Sequence, residues 1–333
     1  MTPYLIDLDF TLWQGDVRQV AAHLPGNAVQ TIVTSPPYFA LRDYGTGTWS
    51  GGRPGCDHQT ARRKTRYDYT LATSPKQSAS RVGTDATNTT WLAICPSCGA
   101  ERQDDQLGME DTPADYVNDL VDVFEALKPC LKPDATAFIN LGDKYENGEL
   151  LGIPWLFALE MKQRGWRLFN DVIWVKPNGM TESVKRRFTK KHEHIFCFGL
   201  NQAYKFNQQF EAQVVDRYKT TIPTGPGSWD GHRNREGHER WPNPEGRNMW
   251  DWWSIPPAGY PDAHFAVFPD KIPQRCIAAG SDPGEIVLDP FMGSGTTARV
   301  ARSMGRRSIG IELSETYCKM IAANTGQQSL LAT

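Results

Sequence analysis

The chain has 333 residues, 39% of them hydrophobic, a formal net charge of −2 and seven cysteines. That length supports a substantial core, either as one elaborated domain or as a core with an inserted module. The odd, scattered cysteine set argues against a secreted disulfide framework; the near-neutral balance does not by itself advertise nucleic acid, and no apolar run is long enough to span a bilayer.

Met1 to Asp7 lacks the basic start and long apolar run of a secretory signal, so a cytoplasmic protein is expected. Residues 5 to 44 then supply a first strand, a helix near Val17–Leu24 and an apolar strand at Thr31-Ile32-Val33. This second strand runs into Ser35-Pro36-Pro37-Tyr38. Two consecutive prolines fix φ and donate no hydrogen bond, so the strand ends in a stiff loop at a sheet edge. There Ser35 and the Pro36 carbonyl can accept hydrogens from an amino group, and Tyr38 can stack on a flat ring, the contacts that hold an extruded nucleobase. A proline-rich turn over a packed tyrosine has the same sequence.

Periodicity fades from 45 to 107, where Gly, Pro, Ser, Thr and Arg dominate, as in an inserted loop. Cys56-Asp57-His58 and Cys95-Pro96-Ser97-Cys98 fall in this segment. A C-x₂-C pair with an upstream thiol and imidazole can wrap a tetrahedral metal, so Cys56, His58, Cys95 and Cys98 form a candidate structural zinc site; free thiols in a loop, or a disulfide formed only on oxidation, are the alternatives. Thr112-Pro113 opens a helix with Tyr116, Leu120, Val123, Phe124 and Leu127 on its apolar face. Helices alternate with apolar strands to about residue 200, the pattern of a doubly wound sheet. Residues 201–262 lose periodicity again and carry Arg233, Arg235, Arg240, Trp241, Arg247, Trp250, Trp252 and Trp253, side chains suited to base edges, phosphates and stacking or to a tryptophan-rich mini-core. Basic clusters at Arg62-Arg63-Lys64 with Arg66, and at Lys185-Arg186-Arg187 with Lys190-Lys191, suit phosphate contact as well as plain solvation.

The core resumes at 263. Ile286 to Asp289 reads as a strand entering the turn Pro290-Phe291-Met292-Gly293-Ser294-Gly295, with a helix from about Thr296. Ser308 to Glu312 reads as the next strand, ending in an acid placed for ribose hydroxyls. This register points to a nucleoside-cofactor site. Because that turn lies so near the end of the sequence, the other strands must come from the N-terminal part, which makes the fold a permuted α/β one.

Together these motifs resemble the β class of DNA amino-methyltransferases, in which the catalytic motif precedes the cofactor motif. The resemblance extends to Gly15-Asp16, to Ala137–Asp143, to Val172–Asn178 with His192–Phe196, and to His264–Pro269. It implies a permuted Rossmann-like methyltransferase fold, a mostly parallel doubly wound sheet with inserted irregular segments. It divides the chain into a catalytic part (1–44 and 108–200), the insertion (45–107), a target-recognition region (201–262) and a cofactor part (263–333). It implies S-adenosylmethionine as cofactor and double-stranded DNA as substrate, with a homodimer and a cognate restriction endonuclease as partners. Ser35, Pro36, Pro37 and Tyr38 would be catalytic. Asp16 would hold the cofactor adenine and Glu312 its ribose; Asp289, Gly293, Ser294, Gly295 and Thr296 would hold the methionine end; Phe268 and Phe291 would pack on the cofactor. Serine at the first catalytic position leans toward cytosine N4, with adenine N6 as runner-up. Two other readings stand beside it: a nicotinamide dehydrogenase, because Gly293-x-Gly295-x-x-Ala298 fits the relaxed dinucleotide fingerprint, and a non-catalytic DNA-binding protein that keeps the fold.

Overall fold

A computed structural model describes residues 1–40, 46–64, 89–104, 106–179, 182–212, 246–257 and 268–331, with backbone alone at 62–64, 89–91 and 325–331. Arg66, Arg233, Arg235, Arg240, Trp241 and His264 to Val267 lie outside the described residues, as do the side chains of Arg62, Arg63 and Lys64. Contacts group the chain into two compact units, 1–207 with 251–333, and 208–250. In the smaller unit Phe210–Glu211 pairs with Arg247–Asn248, and the Arg247 guanidinium lies 3.5 Å over the Trp250 ring.

The larger unit is built on nine strands: β1 (Leu5–Ile6), β2 (Phe10–Gln14), β3 (Val29–Thr34), β4 (Leu131–Leu141), β5 (Arg167–Val175), β6 (His192–Gly199), β7 (Trp252–Ser254), β8 (Ile286–Asp289) and β9 (Arg307–Glu312). Their order across the sheet is β1-β2-β9-β8-β3-β4-β6-β5-β7. The run β2-β9-β8-β3-β4 is wholly parallel; β6 is antiparallel to both its neighbours, and β1 is antiparallel to β2. This is the permuted, mostly parallel α/β fold read from the motif order. The last-numbered pair, β8 and β9, sits between β2 and β3, and Arg302 pairs with Asp7 and Asp9 to fasten the N-terminal edge.

Helices cover both faces. α1 (Val17–Val20), α2 (Pro113–Leu127) and α3 (Ile153–Gln163) share one core with Ile32, Ala137, Ile139, Phe196 and Phe198. The helix expected near Val17–Leu24 is four α-helical residues continued by a 3₁₀ turn, Ala21–His23. α2 begins as its sequence dictates: Thr112 accepts from the Asp115 N–H at 3.1 Å, Pro113 fills the first turn, and Tyr116, Leu120, Val123, Phe124 and Leu127 are buried. α4 (Lys271–Gly280) lies on the opposite face, because Gly280 approaches Thr31, Thr136 and Phe138, which alternate with the residues under α2. α5 (Thr296–Ser303) and α6 (Glu315–Leu331) cover β8, β9 and β2 through Phe10, Leu12, Ala298, Cys318 and Ile321. Among the described residues no helix is long and apolar enough to cross a membrane.

Candidate active site

Because β2, β9, β8 and β3 are parallel, the segments that follow them all emerge on one side of the sheet. The chain runs from β8 outward to β9 and from β3 outward to β4, so the crevice between β8 and β3 is the switch point at which open α/β sheets bind ligands. A cavity opens there. Its walls include Asp16 after β2, Ser35 and Pro37 after β3, Phe291, Gly293, Ser294 and Thr296 after β8, and Glu312 at the end of β9. Phe268 lines it too. Seven of the nine expected cofactor residues and two of the four expected catalytic residues therefore share one cavity. Val17, Val123, Ile311, Leu313 and Tyr317, to which the sequence assigned no place in a binding site, line it as well.

The two remaining cofactor residues serve behind the wall. Asp289 is 1% exposed; its Oδ1 accepts from Thr34 Oγ1 at 2.6 Å and Phe291 N at 3.0 Å, and its Oδ2 accepts from Thr297 Oγ1 at 2.6 Å. Burial pushes its carboxyl up to about 6 despite these donors. It ties the end of β8 to β3 and to the first turn of α5. Gly295, at φ +83°, caps α5 in a left-handed conformation that suits glycine. Gly293 has φ +54°, and a Cβ there would meet no atom nearer than 3.9 Å, so its side toward the cavity is open.

Glu312 accepts from Gly293 N through Oε2 and from Ser314 N through Oε1, each at 2.8 Å. A carboxylate oxygen has two lone pairs, so each retains capacity for a further donor. Burial, with the nearby Asp289 charge, raises this carboxyl to about 7. Asp16 caps α1 and is clasped by Arg18, with Oδ1 at 3.0 Å from Nε and Oδ2 at 2.8 Å from a terminal nitrogen.

The Ser-Pro-Pro-Tyr loop is held from below. Tyr116 donates its hydroxyl to the Pro37 carbonyl at 2.7 Å, and the Ala40 N–H bonds Gly108 at 2.7 Å. Tyr38 packs against Gly142, where a Cβ would come within 2.6 Å of its ring. Its hydroxyl donates to Glu193 at 2.8 Å and accepts from Asn140 Nδ2 at 2.8 Å, while Lys176 pairs with the other Glu193 oxygen. Burial, then the Glu193 charge, pushes the Tyr38 phenol well above its usual range. Ser35 Oγ has only long contacts, 3.4 Å to Asn140 Nδ2 and 3.5 Å to the Tyr38 hydroxyl, and the buried Asn140 Oδ1 has no partner among the described residues. Neither Pro36 nor Tyr38 lines the cavity. Asn140, Lys176 and Glu193 had no role assigned from sequence; the only signal was a polar residue at an inward strand position.

The second basic cluster is mostly engaged within the fold. Arg187 pairs with Glu182 and stacks on Tyr145, Lys190 donates to the Asp143 carbonyl and Lys191 to that of Gly179; Lys185 and Arg186 are exposed.

In the insertion Cys56, His58, Cys95 and Cys98 converge, with their ligand atoms all within 4.8 Å of one another. Cys56 Sγ lies 4.0 Å from Cys95 Sγ, and Cys98 Sγ lies 3.5 Å from His58 Nδ1. Tetrahedral zinc sets about 3.8 Å between two sulfurs and about 3.5 Å between sulfur and nitrogen. Trp49 stacks on His58 at 4.5 Å, and the Gly99 N–H bonds the Cys95 carbonyl at 2.8 Å, closing the turn that aims both knuckle thiols inward.

Comparison with known proteins places this geometry. The type II methyltransferase M.Cfr9I of Citrobacter freundii is 30% identical over 92% of this chain and 84% of its own. M.SmaI of Serratia marcescens, also a type II methyltransferase, is 29% identical over 92% and 87%. Among solved structures, the cytosine-N4-specific PvuII DNA methyltransferase covers 97% of this chain and 88% of its own, with TM-score 0.59 at 17% identity. A Thermus thermophilus protein described as a putative DNA modification methylase, solved with S-adenosyl-L-methionine, gives TM-score 0.53 at 21% identity over 95% and 94%. Both structures share the fold. The family model of the N6/N4 DNA methylases matches residues 29–324, which sets the dehydrogenase reading aside: the chain belongs to the DNA methylase family.

Proposed function

We propose that this protein methylates the N4 amine of cytosine in double-stranded DNA, with S-adenosylmethionine as methyl donor, as the modification half of a restriction–modification system in the cytoplasm. The observation that carries this reading is the single cavity that joins Ser35 and Pro37 to Asp16, Gly293 and Glu312. Serine in the first catalytic position and the cytosine-N4-specific structural neighbour support the choice of base, and the type II relatives support the restriction–modification role.

The donor set suits the cofactor. Glu312 has oxygens available for ribose hydroxyls, Asp16 faces the cavity for an adenine amine, and Phe268 and Phe291 offer apolar walls. Ser294, Thr296 and the start of α5 offer donors for a carboxylate, with Asp289 holding that loop in place. When bound, S-adenosylmethionine supplies an electrophilic methyl group on a sulfonium sulfur. The protein's task is then positioning and electrostatics. Ser35 Oγ and the Pro36 carbonyl accept the hydrogens of the target amine, drawing its nitrogen out of conjugation so that the lone pair points at the methyl. The surplus proton leaves to water by way of Ser35 Oγ. Tyr38, locked by Glu193 and Asn140, forms the base-stacking wall. Cys56, His58, Cys95 and Cys98 hold a structural zinc ion that takes no part in the chemistry.

Incubation with labelled cofactor and mixed-sequence DNA, digestion to nucleosides and mass spectrometry should place the label in N4-methylcytosine. Label only in N6-methyladenine overturns the choice of base. Cofactor binding with no labelled nucleoside overturns methyl transfer and favours the non-catalytic reading.

A further inference from the structure

The Cys56, His58, Cys95 and Cys98 cluster and the cavity at Ser35 and Glu312 are joined by a short stem. Thr46 and the pair Gln106 and Leu107, at the two ends of the insertion, line the same cavity as Ser35 and Glu312. Between these ends and the ligands lies a ribbon of three residue pairs, Thr48 with Gln103, Trp49 with Arg102 and Ser50 with Glu101. Asp104 locks its base: Oδ1 accepts from Thr46 Oγ1 at 2.8 Å and Gln106 N at 3.2 Å, and Oδ2 pairs with Arg102 at 2.7 Å. Its far end runs directly into the knuckle. A Cβ on Gly52 would come within 2.9 Å of Cys98 Sγ, and the Cys95 N–H bonds the Ala100 carbonyl at 2.8 Å.

A three-pair ribbon is too short to hold itself in water. Among the described residues the apolar cluster beneath it has Ala61, Cys95 and Ala100 fully buried, with Trp49, Cys56, Leu92 and Cys98 at its margin. Such a module gets its order from a metal, because ion binding is its folding energy. Thr46 and Gln106 therefore stand at one end of a ribbon whose other end carries the four candidate ligands.

We infer that zinc at Cys56, His58, Cys95 and Cys98 orders the ribbon that places Thr46 and Gln106, so that metal occupancy and cofactor affinity are coupled. This rests on the proposed zinc site and cofactor. Coupling between sites is reciprocal, so the cofactor tightens zinc by the factor with which zinc tightens the cofactor.

The test uses the full-length protein. Elemental analysis should find one zinc per chain, and cobalt substitution should give the thiolate charge-transfer and visible bands of a tetrahedral sulfur-rich site. Removal of the metal by chelation should weaken S-adenosylmethionine binding, measured calorimetrically, about tenfold, and zinc should restore it. Asp104→Ala cuts the stem without touching a ligand; it should weaken the cofactor similarly while zinc content stays at one. Full zinc occupancy with cofactor affinity unchanged within twofold on chelation and in Asp104→Ala overturns the coupling and leaves the zinc site standing. Absence of zinc and cobalt binding, with a Cys95→Ser, Cys98→Ser protein that binds cofactor like the parent, overturns both. If chelation unfolds the core by circular dichroism, the reciprocal measurement decides: zinc affinity raised by S-adenosylmethionine in the parent and not in Asp104→Ala supports the coupling, and zinc affinity unchanged by the cofactor overturns it.

Discussion

Thr297→Val tests whether Asp289 is a buried charge held by its donors. Valine keeps the shape and removes the hydroxyl that donates to Asp289 Oδ2 at 2.6 Å, leaving Thr34 and the Phe291 N–H on Oδ1. The carboxyl is already pushed up to about 6 by burial. Well above that pH the variant loses a bond to a charged acceptor, worth about 1.5–3 kcal/mol; well below it the lost bond is between neutral groups and worth about 1 kcal/mol. A folded-state pKa above the unfolded value means that the native protein holds the proton more tightly, so stability falls as pH rises from the ordinary carboxylate range toward 6. The variant's carboxyl rises further, so its extra loss develops as pH climbs through and beyond 6. About one further unit corresponds to about 1.4 kcal/mol. Urea unfolding at about pH 5 and about pH 8, extrapolated linearly, should therefore show destabilisation of about 1 kcal/mol in acid and 2–3 kcal/mol in base. Equal destabilisation at both pH values would refute the claim that Thr297 holds a charge.

Ser35→Ala should cut methyl transfer about 10²–10³-fold, the usual cost of losing one hydrogen bond aimed at a reacting group. Because Ser35 Oγ has only 3.4 and 3.5 Å contacts, the melting temperature and cofactor affinity should stay close to the parent's; near-parental turnover would remove Ser35 from the reaction. Burial raises the Glu312 carboxyl to about 7, and its charged form is the better acceptor for hydroxyl hydrogens, so cofactor affinity should rise with pH through neutrality. Calorimetry should find that rise flattened in Glu312→Gln, and an unchanged pH profile would exclude Glu312 as the ribose partner.

The strand-end motifs were legible because each is local. Thr31-Ile32-Val33 breaks at two prolines, and Ile286–Asp289 breaks at a glycine turn, so the sequence alone marked two mouths of the same cavity. The convergence of Cys56, His58, Cys95 and Cys98 was partly legible for the same reason: C-x₂-C places two thiols in one turn. What sequence could not show is what becomes neighbours only through register. Asn140 faces Ile195 and Glu193 faces Trp174 across β4, β6 and β5, and only that pairing brings Asn140, Glu193 and Lys176 under Tyr38. Asp289 ends the expected strand, yet the strand's alternation turns it toward Thr34 and Thr297. The run from Lys185 to Lys191 reads as one basic patch, but three of its five cations find partners within the fold.

The position of β8 and β9 between β2 and β3 imposes an order of events on synthesis. β2 and β3 leave the ribosome early, and the two strands that fill the gap between them follow roughly 250 residues later. At ordinary elongation rates that interval is on the order of 10–60 s. Throughout it the Ser-Pro-Pro-Tyr loop exists as sequence, but the crevice beside it has one wall. A nascent chain that ends before Glu285 carries Ser35, Cys56, His58, Cys95 and Cys98 and has no glycine turn, no Glu312 and no continuous sheet from β2 to β3. The cavity that holds Ser35 and Glu312 is thus closed only after its Ser-Pro-Pro-Tyr loop and the insertion have both been made.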